Sequence, residues 1–360
     1  MLRQIKPELA AEPKTKSKLD HAFIEAKLND PNWIAEEKFD GARYLAHFES
    51  DRLYFTSRRT SDVTGLQVEK GLNLPHLNVP VPTLVGTVLD GEVTVGRTSS
   101  NVTSIMGALP EKAITRQASA EWCRYRVWDV LYYKGTDVQA LPLHERKAIL
   151  KVAAEEWKSY QLTSKDLANL QAAFLKLPGI TPLDTDSLNK LHASSIELVE
   201  FTVTNKKKLL TEVWDRGGEG LVLKNLDSLY EPDKRDKNSW IKLKQHLTFD
   251  VVIMGYTQPD PTSIDVHGKT IPNRFYVNKW ISAVRFGQYK SGVLVELGQA
   301  SGLSDALRAK ITDSQKELLG TVMEVKAQEQ IPESGALRHP RVIMLRPDKD
   351  AKDCKFNPTV

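Results

Sequence analysis

The segment Glu36-Glu37-Lys38-Phe39-Asp40-Gly41-Ala42-Arg43 places a lysine directly before an Asp-Gly pair, between two apolar runs at residues 33–39 and 42–49. Asp-Gly pairs favour tight turns, and a glycine lets another part of the chain approach the backbone closely. The segment therefore predicts two strands joined by a turn that holds Lys38 in a defined position. Taken alone, a solvated surface turn with a lysine at its edge explains the segment equally well.

The composition of the chain excludes several classes of protein. Its 360 residues favour two domains, and no apolar run approaches the roughly 20 residues that cross a bilayer. Charged residues are spread through residues 1–20, so we expect no export and no membrane partner, and a cytoplasmic location in a bacterial or phage-infected cell. With only Cys123 and Cys354, a disulfide framework and a four-cysteine zinc site are excluded. We expect Cys123 to be buried and Cys354 to be an incidental residue of a polar tail.

The pattern along the chain predicts an α+β protein. Strand-like runs dominate residues 33–133, and helical spacing appears at 143–158, 164–176 and 205–217. We place a domain boundary between residues 247 and 248. The second part, 248–360, has five strand candidates, including 275–287, and one helical stretch at 303–318, which suits a small OB-fold barrel. A β-sandwich fits that pattern too.

Five further fragments follow Lys38 in order: LeuAspGlyGluVal at 89–93, ValTrpAsp at 127–129, GluGlyLeuValLeuLys at 219–224, TrpIleLysLeuLys at 240–244 and ArgProAspLys at 346–349. Each is weak alone, because an Asp-Gly pair marks a turn and a charged residue at a strand end is usually solvated. Their joint occurrence in this order is improbable by accident.

From residue 33 to about residue 350, the chain resembles the covalent nucleotidyltransferase superfamily of DNA ligases, RNA ligases and mRNA capping enzymes. LysPheAspGlyAlaArg at 38–43 is similar to the DNA-ligase form of the first family motif, and 57–65 and 337–349 are similar to two further ligase motifs. The compact length is similar to minimal phage, viral and bacterial ligases. The resemblance implies a nucleotidyltransferase (adenylation) domain with antiparallel sheets and flanking helices at 1–247, followed by an OB-fold domain at 248–360.

The same resemblance implies an ATP-dependent DNA ligase in which Lys38 forms a covalent lysyl-AMP. Lys242 and Lys244 would hold the α-phosphate, and their positive charge would favour the neutral amine of Lys38. Glu219 would bind Mg²⁺, with Mn²⁺ as a substitute, and Asp40 would lie beside the reacting groups and share the metal.

Recognition of the nucleotide is implied at six positions. Trp128 would stack on adenine, and Glu36 would read its amino group, with Glu37 as the alternative if the two acids exchange roles. Arg43 and Glu92 would bind the ribose, and Lys224 would line the base or phosphate pocket. The pair Arg58 and Arg59 would contact the 5′-phosphate of a nick, because arginine grips phosphate in a bidentate way. From the second domain, Arg346 and Lys349 would orient the departing pyrophosphate.

The expected substrate is nicked double-stranded DNA, sealed by a monomer in three steps, with roles in DNA repair, replication and recombination. A capping guanylyltransferase and an RNA ligase share the lysine chemistry. The first motif and residues 57–65 disfavour the capping enzyme, and a C-terminal barrel that ends in ArgProAspLys disfavours the RNA ligase. A non-catalytic OB-fold binder of nucleic acid would not need Lys38, Glu219, Lys242 and Lys244 together. The absence of a cysteine cluster disfavours an NAD-dependent ligase. We expect the run Lys206-Lys207-Lys208 to be a solvated helix face.

Overall fold

The computed structural model describes residues 4–15, 18–61, 63–96, 99–175, 177, 183–244, 247–264, 269–327, 330–331 and 334–356. The chain forms two compact units, Met1–Leu243 and Lys244–Val360. The domain boundary between residues 247 and 248 stays a prediction. Within the described ranges, no helix is both long and apolar enough to cross a bilayer.

The first unit contains strands and helices in mixed order. Its strands are β1 Lys14–Thr15, β2 Lys18–Leu19, β3 Trp33–Lys38, β4 Ala42–Phe48, β5 Leu53–Thr60, β6 Gln67–Glu69, β7 Val88–Thr94, β8 Arg124–Tyr133, β9 Thr136–Asp137, β10 Ile196–Leu198, β11 Phe201–Thr202, β12 Gly220–Asn225 and β13 Trp240–Lys244. Its helices are α1 His21–Asn29, α2 Ser99–Met106, α3 Pro110–Ser119, α4 Leu143–Ser159, α5 Ser164–Leu175, α6 Thr185–Ser194 and α7 Lys206–Asp215.

Two sheets organise the first unit. One has the strand order β11-β3-β12-β13, and the other has the order β10-β8-β7-β4-β5-β6, with β9 paired to β8. In the first sheet β3 and β12 are antiparallel, and Gly220 lies opposite Lys38. In the second sheet β4 pairs with β7, and Arg43 lies opposite Glu92. The turn at 39–41 connects the two sheets, so Lys38 and Arg43 lie on either side of it.

Three of the apolar clusters in the described part of the first unit pack against its two sheets. The largest packs the longer sheet against α2, α3 and α4 around Trp157, whose ring centroid lies 5.0 Å from that of Phe48. A second packs the shorter sheet against α1 and α7. The third lies between the two sheets, where Leu45 and Leu131 meet Trp240 and Tyr230. Each sheet therefore has one face packed on helices and one face turned toward the other sheet.

A fully buried ion pair joins β8 to α4. The Arg146 guanidinium donates Nε to Asp129 Oδ1 at 2.9 Å and Nη2 to Oδ2 at 3.0 Å, and neither side chain is exposed. Arg146 Nη1 also donates to the carbonyls of Leu141 and Ser228. Burial alone would raise the pKa of Asp129, but the charge and hydrogen bonds of Arg146, together with the charges of Lys224 and Lys147, lower it.

The described residues before α1 are tied into the first unit. Ala11 pairs with β13, accepting from Lys242 N at 3.0 Å. Glu8 is fully buried, and its Oε2 accepts from Glu231 N at 3.0 Å. Burial raises the pKa of the Glu8 carboxyl to about 7, and Asp129 adds to this while Arg146 and Lys224 oppose it.

The second unit is a small barrel of five strands. Its elements are β14 Leu247–Thr257, β15 Thr262–Ile264, β16 Thr270–Pro272, α8 Arg274–Val277, β17 Ala283–Lys290, β18 Val293–Ala300, α9 Asp305–Asp313, α10 Gln315–Leu318, β19 Val322–Ala327 and β20 Arg341–Leu345. The sheet order is β18-β17-β14-β19-β20. A parallel bridge from Gly302, after β18, to Arg341, in β20, joins its two edges. With α9 between the third and fourth barrel strands, the OB-fold is confirmed, as is the α+β class.

Several sequence predictions are confirmed in outline and corrected in detail. The helices at 143–158 and 205–217 are present as α4 and α7, and that at 164–176 as α5, with residue 176 outside the described ranges. The strand over 275–287 begins only at Ala283, because Asn273 caps α8 and Lys279 takes a φ of +56° that interrupts extended chain. The single helix at 303–318 is two, α9 and α10.

Two further residues correct the sequence predictions. Cys354 is buried against Val252 and Val322 rather than exposed in a tail, whereas the expected burial of Cys123 is confirmed. Lys206 is not solvated: its Nζ donates to the carbonyls of Asp30 and Val203. Residue 62, within the ligase-like motif at 57–65, lies outside the described residues.

Replacement of Arg146 by Met should lower the free energy of unfolding by about 3–5 kcal/mol, because it leaves Asp129 buried and unpaired. Urea denaturation followed by circular dichroism measures this. The matched control is Arg124→Met, which breaks an exposed pair with Glu197 and should cost no more than about 1 kcal/mol. Equal losses in the free energy of unfolding for the two variants would contradict a larger contribution from the buried pair.

Replacement of Glu8 by Gln should stabilise the protein at alkaline pH. A raised folded-state pKa means that the stability contributed by Glu8 is fully present below its unfolded pKa and is lost as the pH rises through about 7. Thermal unfolding of the wild type and the variant should be compared at pH 5 and at pH 8. At pH 5 the two proteins should have similar stability. At pH 8 the variant should be more stable by roughly 1–3 kcal/mol. Glu155→Gln, at an exposed position of α4, should leave the pH dependence unchanged.

Candidate active site

Lys38 ends β3 on the face of the shorter sheet that is turned away from α1 and α7. Strand alternation puts Glu36 and Lys38 on this face and Trp33, Ala35 and Glu37 on the helix-packed face. Lys38 Nζ lies 2.5 Å from Glu219 Oε2, and the two side chains are 23% and 13% exposed. Since Gly220 is the in-register partner of Lys38, Glu219 reaches the amine from the start of β12. The structure thus brings the expected nucleophile and the expected metal-binding acid together.

The turn after Lys38 needs its glycine. A Cβ on Gly41 would lie 2.3 Å from Val93 O and 2.7 Å from Glu92 Cγ, distances that real Cβ atoms do not adopt. Gly41 therefore allows β4 to approach β7 at the point where the chain passes from one sheet to the other. This contact brings Glu92 close to the lysine end of β3.

Glu92 is electrostatically coupled to the lysine. Burial raises the pKa of its carboxyl to about 7, Lys38 and Arg43 oppose the rise, and Glu219 and Asp90 add to it. A carboxyl that titrates near neutrality beside a lysine and a second acid is typical of catalytic centres.

Arg43 is held within the protein. Its Nε donates to Asp90 Oδ1 at 2.8 Å, Nη2 donates to Oδ2, and Nη1 donates to Glu8 O at 2.5 Å. Tyr230 Oη accepts from Arg43 at 3.3 Å and donates to Asp90 at 2.9 Å. Burial works against the charge of the guanidinium, but Asp90 outweighs it and raises the pKa of Arg43. Arg43 is already paired with Asp90, so only the exposed part of its side chain could make the predicted contact with the ribose.

Glu36 lies between two lysines, and Glu37 does not. The Glu36 carboxylate is buried, with Lys147 Nζ on Oε1 and Lys224 Nζ 2.7 Å from Oε2. Glu37 points to the opposite face of β3, where its Oε2 accepts from Arg216 at 2.6 Å. The structure therefore places Glu36, and not Glu37, on the side of Lys38.

Two tryptophans border the same region. Trp128 is partly buried, with the Arg43 guanidinium 5.4 Å and the Lys224 ammonium 5.6 Å from its ring centroid. The Lys224 ammonium lies 4.1 Å from the centroid of Trp240. Burial lowers the pKa of Lys224 to about 8, against the effect of Glu36. In the described part of the chain the indole N–H groups of both tryptophans are buried without a protein acceptor.

Lys242 and Lys244 share one side of β13 with Trp240, because side chains two apart point the same way. Lys242 is 20% exposed and lies 3.6 Å from Glu12 Oε1. Lys244 ends the strand and is the first residue of the second unit. Ile241 and Leu243, between them, pack with α1 and α7.

The remaining predicted residues belong to other elements. Arg58 and Arg59 are exposed on the last part of β5. Arg346 and Lys349 belong to the second unit, where Arg346 donates to Asp250, Glu324 and Asp348. Lys349 Nζ donates to Asp250 as well. Both cations are therefore neutralised within their own unit.

Sequence reasoning missed Lys147, Asp90 and Tyr230. Lys147 follows Arg146 on a helix with ordinary amphipathic spacing, and nothing in that spacing marks a lysine aimed at β3. Asp90 sits in the quoted fragment 89–93 but was passed over for Glu92, although alternation along β7 puts both on one face. Tyr230 lies in a loop without a pattern.

The family model described as ATP dependent DNA ligase domain matches residues 11–177 and 185–244. A DNA ligase-like protein, LigB of an SPbeta prophage in Bacillus subtilis, is 29% identical over 237 residues, which cover 66% of this chain and 70% of LigB. A probable DNA ligase of Koribacter versatilis is 28% identical over 352 residues, or 89% of this chain and 54% of that protein. The chain spans about half the length of several such curated relatives.

Among solved structures, the one named Pmar-Lig_Pre is similar, with a TM-score of 0.63 at 17% identity, over 95% of this chain and 68% of the other. At that identity the likeness shows a common fold. The family model covers well over half of the chain, including every predicted site residue between Glu36 and Lys244. The chain therefore belongs to the family of ATP dependent DNA ligase domains.

Proposed function

We propose that the protein is an ATP-dependent DNA ligase that seals nicks between a 3′-hydroxyl and a 5′-phosphate in duplex DNA. The observation that carries the proposal is the contact of Lys38 Nζ with Glu219 Oε2 at 2.5 Å, next to a Glu92 carboxyl that titrates near neutrality. Membership of the ligase family and the names of its relatives support the same activity.

In the first step the Lys38 amine attacks the α-phosphorus of ATP. A P–N bond forms, the bond from the α-phosphorus to the bridging oxygen breaks, and pyrophosphate leaves with the electron pair. The ammonium must first lose a proton, since an ordinary lysine has a pKa of about 10.4. Glu219 Oε2 is close enough to take that proton. Lys242 and Lys244 would stabilise the charge that develops on the α-phosphate.

The donor set at the site fits Mg²⁺ with Mn²⁺ as a substitute. Glu219 and Asp40 are hard oxygen donors, and the described residues contain no group of three or more metal-binding side chains. Mg²⁺ in nucleotide enzymes typically uses one or two carboxylates and completes its shell with phosphate and water. When bound by Glu219 and Asp40, it would neutralise phosphate charge.

The second and third steps require nicked duplex DNA. AMP passes from Lys38 to the 5′-phosphate, forming a P–O–P link and breaking the P–N bond, and the 3′-hydroxyl then displaces AMP. Arg58 and Arg59 are exposed on β5 and carry the forked donors that suit a 5′-phosphate. We propose that the protein acts as a monomer in the cytoplasm, where ATP and DNA are both available.

Incubation with α-labelled ATP and a divalent metal should label the wild-type protein covalently, whereas Lys38→Ala should remain unlabelled. The matched control is Lys208→Ala, at an exposed lysine of α7 that belongs to none of the motifs, and it should label normally. Parallel reactions with GTP and NAD should give no label. Labelling from GTP in place of ATP would assign the chain to capping chemistry, and labelling of Lys38→Ala would exclude Lys38 as the nucleophile.

Replacement of Arg346 or Lys349 by Ala should slow self-adenylation by about tenfold or more, because the phosphate contacts that direct the leaving group are lost. Sealing of a pre-adenylated nick should change less than about threefold, since pyrophosphate takes no part in it. Gel assays of the two reactions separate the steps, with Lys352→Ala, an exposed lysine of the second unit, as control. Equal loss in both reactions would contradict the assignment to the first step.

A further inference from the structure

Glu36 is held by one lysine of its own sheet and by one lysine of a helix. Its in-register neighbours are Phe201 on β11 and Val222 on β12, neither of which can bind a carboxylate. Its ionic partners are Lys224, two residues further along β12, and Lys147, which reaches in from α4. A buried carboxylate needs such partners, because burial without them costs several kilocalories per mole.

Lys147 connects Glu36 to Trp128. Its Nζ donates to Glu36 Oε1 and, at 2.8 Å, to the backbone carbonyl of Trp128. The ammonium also lies 5.6 Å from the ring centroid of Phe201, and the side chain is 7% exposed. One ammonium therefore sets the separation between the carboxylate of β3 and the strand segment that carries the Trp128 ring.

The backbone that carries Lys147 is itself held rigidly. The preceding residue, Arg146, is locked by Asp129 and by the carbonyls of Leu141 and Ser228. These contacts hold the first turns of α4 against β8. The backbone of Lys147 therefore has a defined position, and its ammonium holds the Glu36 carboxylate in one orientation.

We propose that Lys147 is a positioning residue for base selection, which orients Glu36 so that its carboxylate accepts a hydrogen bond from the amino group of adenine. This inference rests on the proposed function and adds a specificity-determining residue to it. A carboxylate can only accept, so it pairs with the amino group of adenine but faces the keto oxygen of guanine with no proton between them. Without Lys147, Glu36 keeps Lys224 as its partner and is free to turn away from Trp128.

Replacement of Lys147 should leave no unpaired charge at Glu36. Two lysines face one carboxylate at this position, so loss of Lys147 leaves a one-to-one pair with Lys224 and not an unpaired charge. Lys147→Met preserves the length and apolar volume of the side chain. The matched control is Lys151→Met, one turn further along α4 at an exposed position.

Rates of self-adenylation measured over a range of ATP and GTP concentrations test the proposal. For Lys147→Met, KM for ATP should rise about tenfold while the maximal rate stays within about threefold, because the base contact and not the reacting phosphate is disturbed. The preference for ATP over GTP should fall by about tenfold. Lys147→Arg, which keeps the charge and the donors, should recover most of the preference, and Lys151→Met should match the wild type.

A double substitution shows whether Lys147 acts through Glu36. If it does, Glu36→Gln with Lys147→Met should have the same ATP preference as Glu36→Gln alone. Additive losses, or a fall in the maximal rate with unchanged preference, would overturn the proposal and leave Lys147 a structural residue. Should Lys147→Met not fold, Lys147→Gln carries the same expectations. A wild-type protein that forms no adenylate would instead overturn the proposed function, and this inference with it.

Discussion

The arrangement of the candidate site depends on the buried ion pair between Asp129 and Arg146. Both side chains are withdrawn from water, so the pair persists only because the guanidinium satisfies the carboxylate and two loop carbonyls at once. It fixes the start of α4 against β8, and the next residue, Lys147, then meets Glu36 on the neighbouring sheet. The position of Glu36 is in this way set by a contact that lies outside the sheet carrying Lys38.

Charges between the two sheets are balanced in small groups. Arg43 is matched by Asp90, Lys38 by Glu219, and Glu36 by Lys147 and Lys224 together. Only the last group departs from this balance, because it carries more positive than negative charge. Burial in surroundings of low dielectric constant lowers the pKa of Lys224. A polyphosphate bound nearby would supply negative charge to this region. The deep placement of these groups makes each one costly to leave unpaired.

Period-two alternation along the strands accounts for what was predictable about the site. From residues 33–38 alone, Glu36 and Lys38 must share a face and Glu37 must point away, and the structure has them so. The OB-fold was predictable from strand count and the intervening helix. The pairing of Arg43 with Asp90 and the burial of Glu8 were not predictable. Tyr230 contacts Arg43 and Glu231 contacts Glu8, and each lies more than 180 residues away in sequence from its partner. Short-range patterns carry no information on such partners. The strand predicted over 275–287 begins only at Ala283, because a side-chain cap at Asn273 starts α8 in its place.

The cations of the second unit pose a different physical problem from those of the first. Arg346 and Lys349 are partly exposed and are held by Asp250, Glu324 and Asp348 through charge-assisted hydrogen bonds. The Arg346 contact is strong enough to lower the pKa of Asp348 to about 2. Solvent-exposed pairs of this kind exchange partners readily, since water screens the charges as they separate. Buried pairs such as Asp129 with Arg146 cannot exchange in this way, because separating them would leave each charge without a partner and without water.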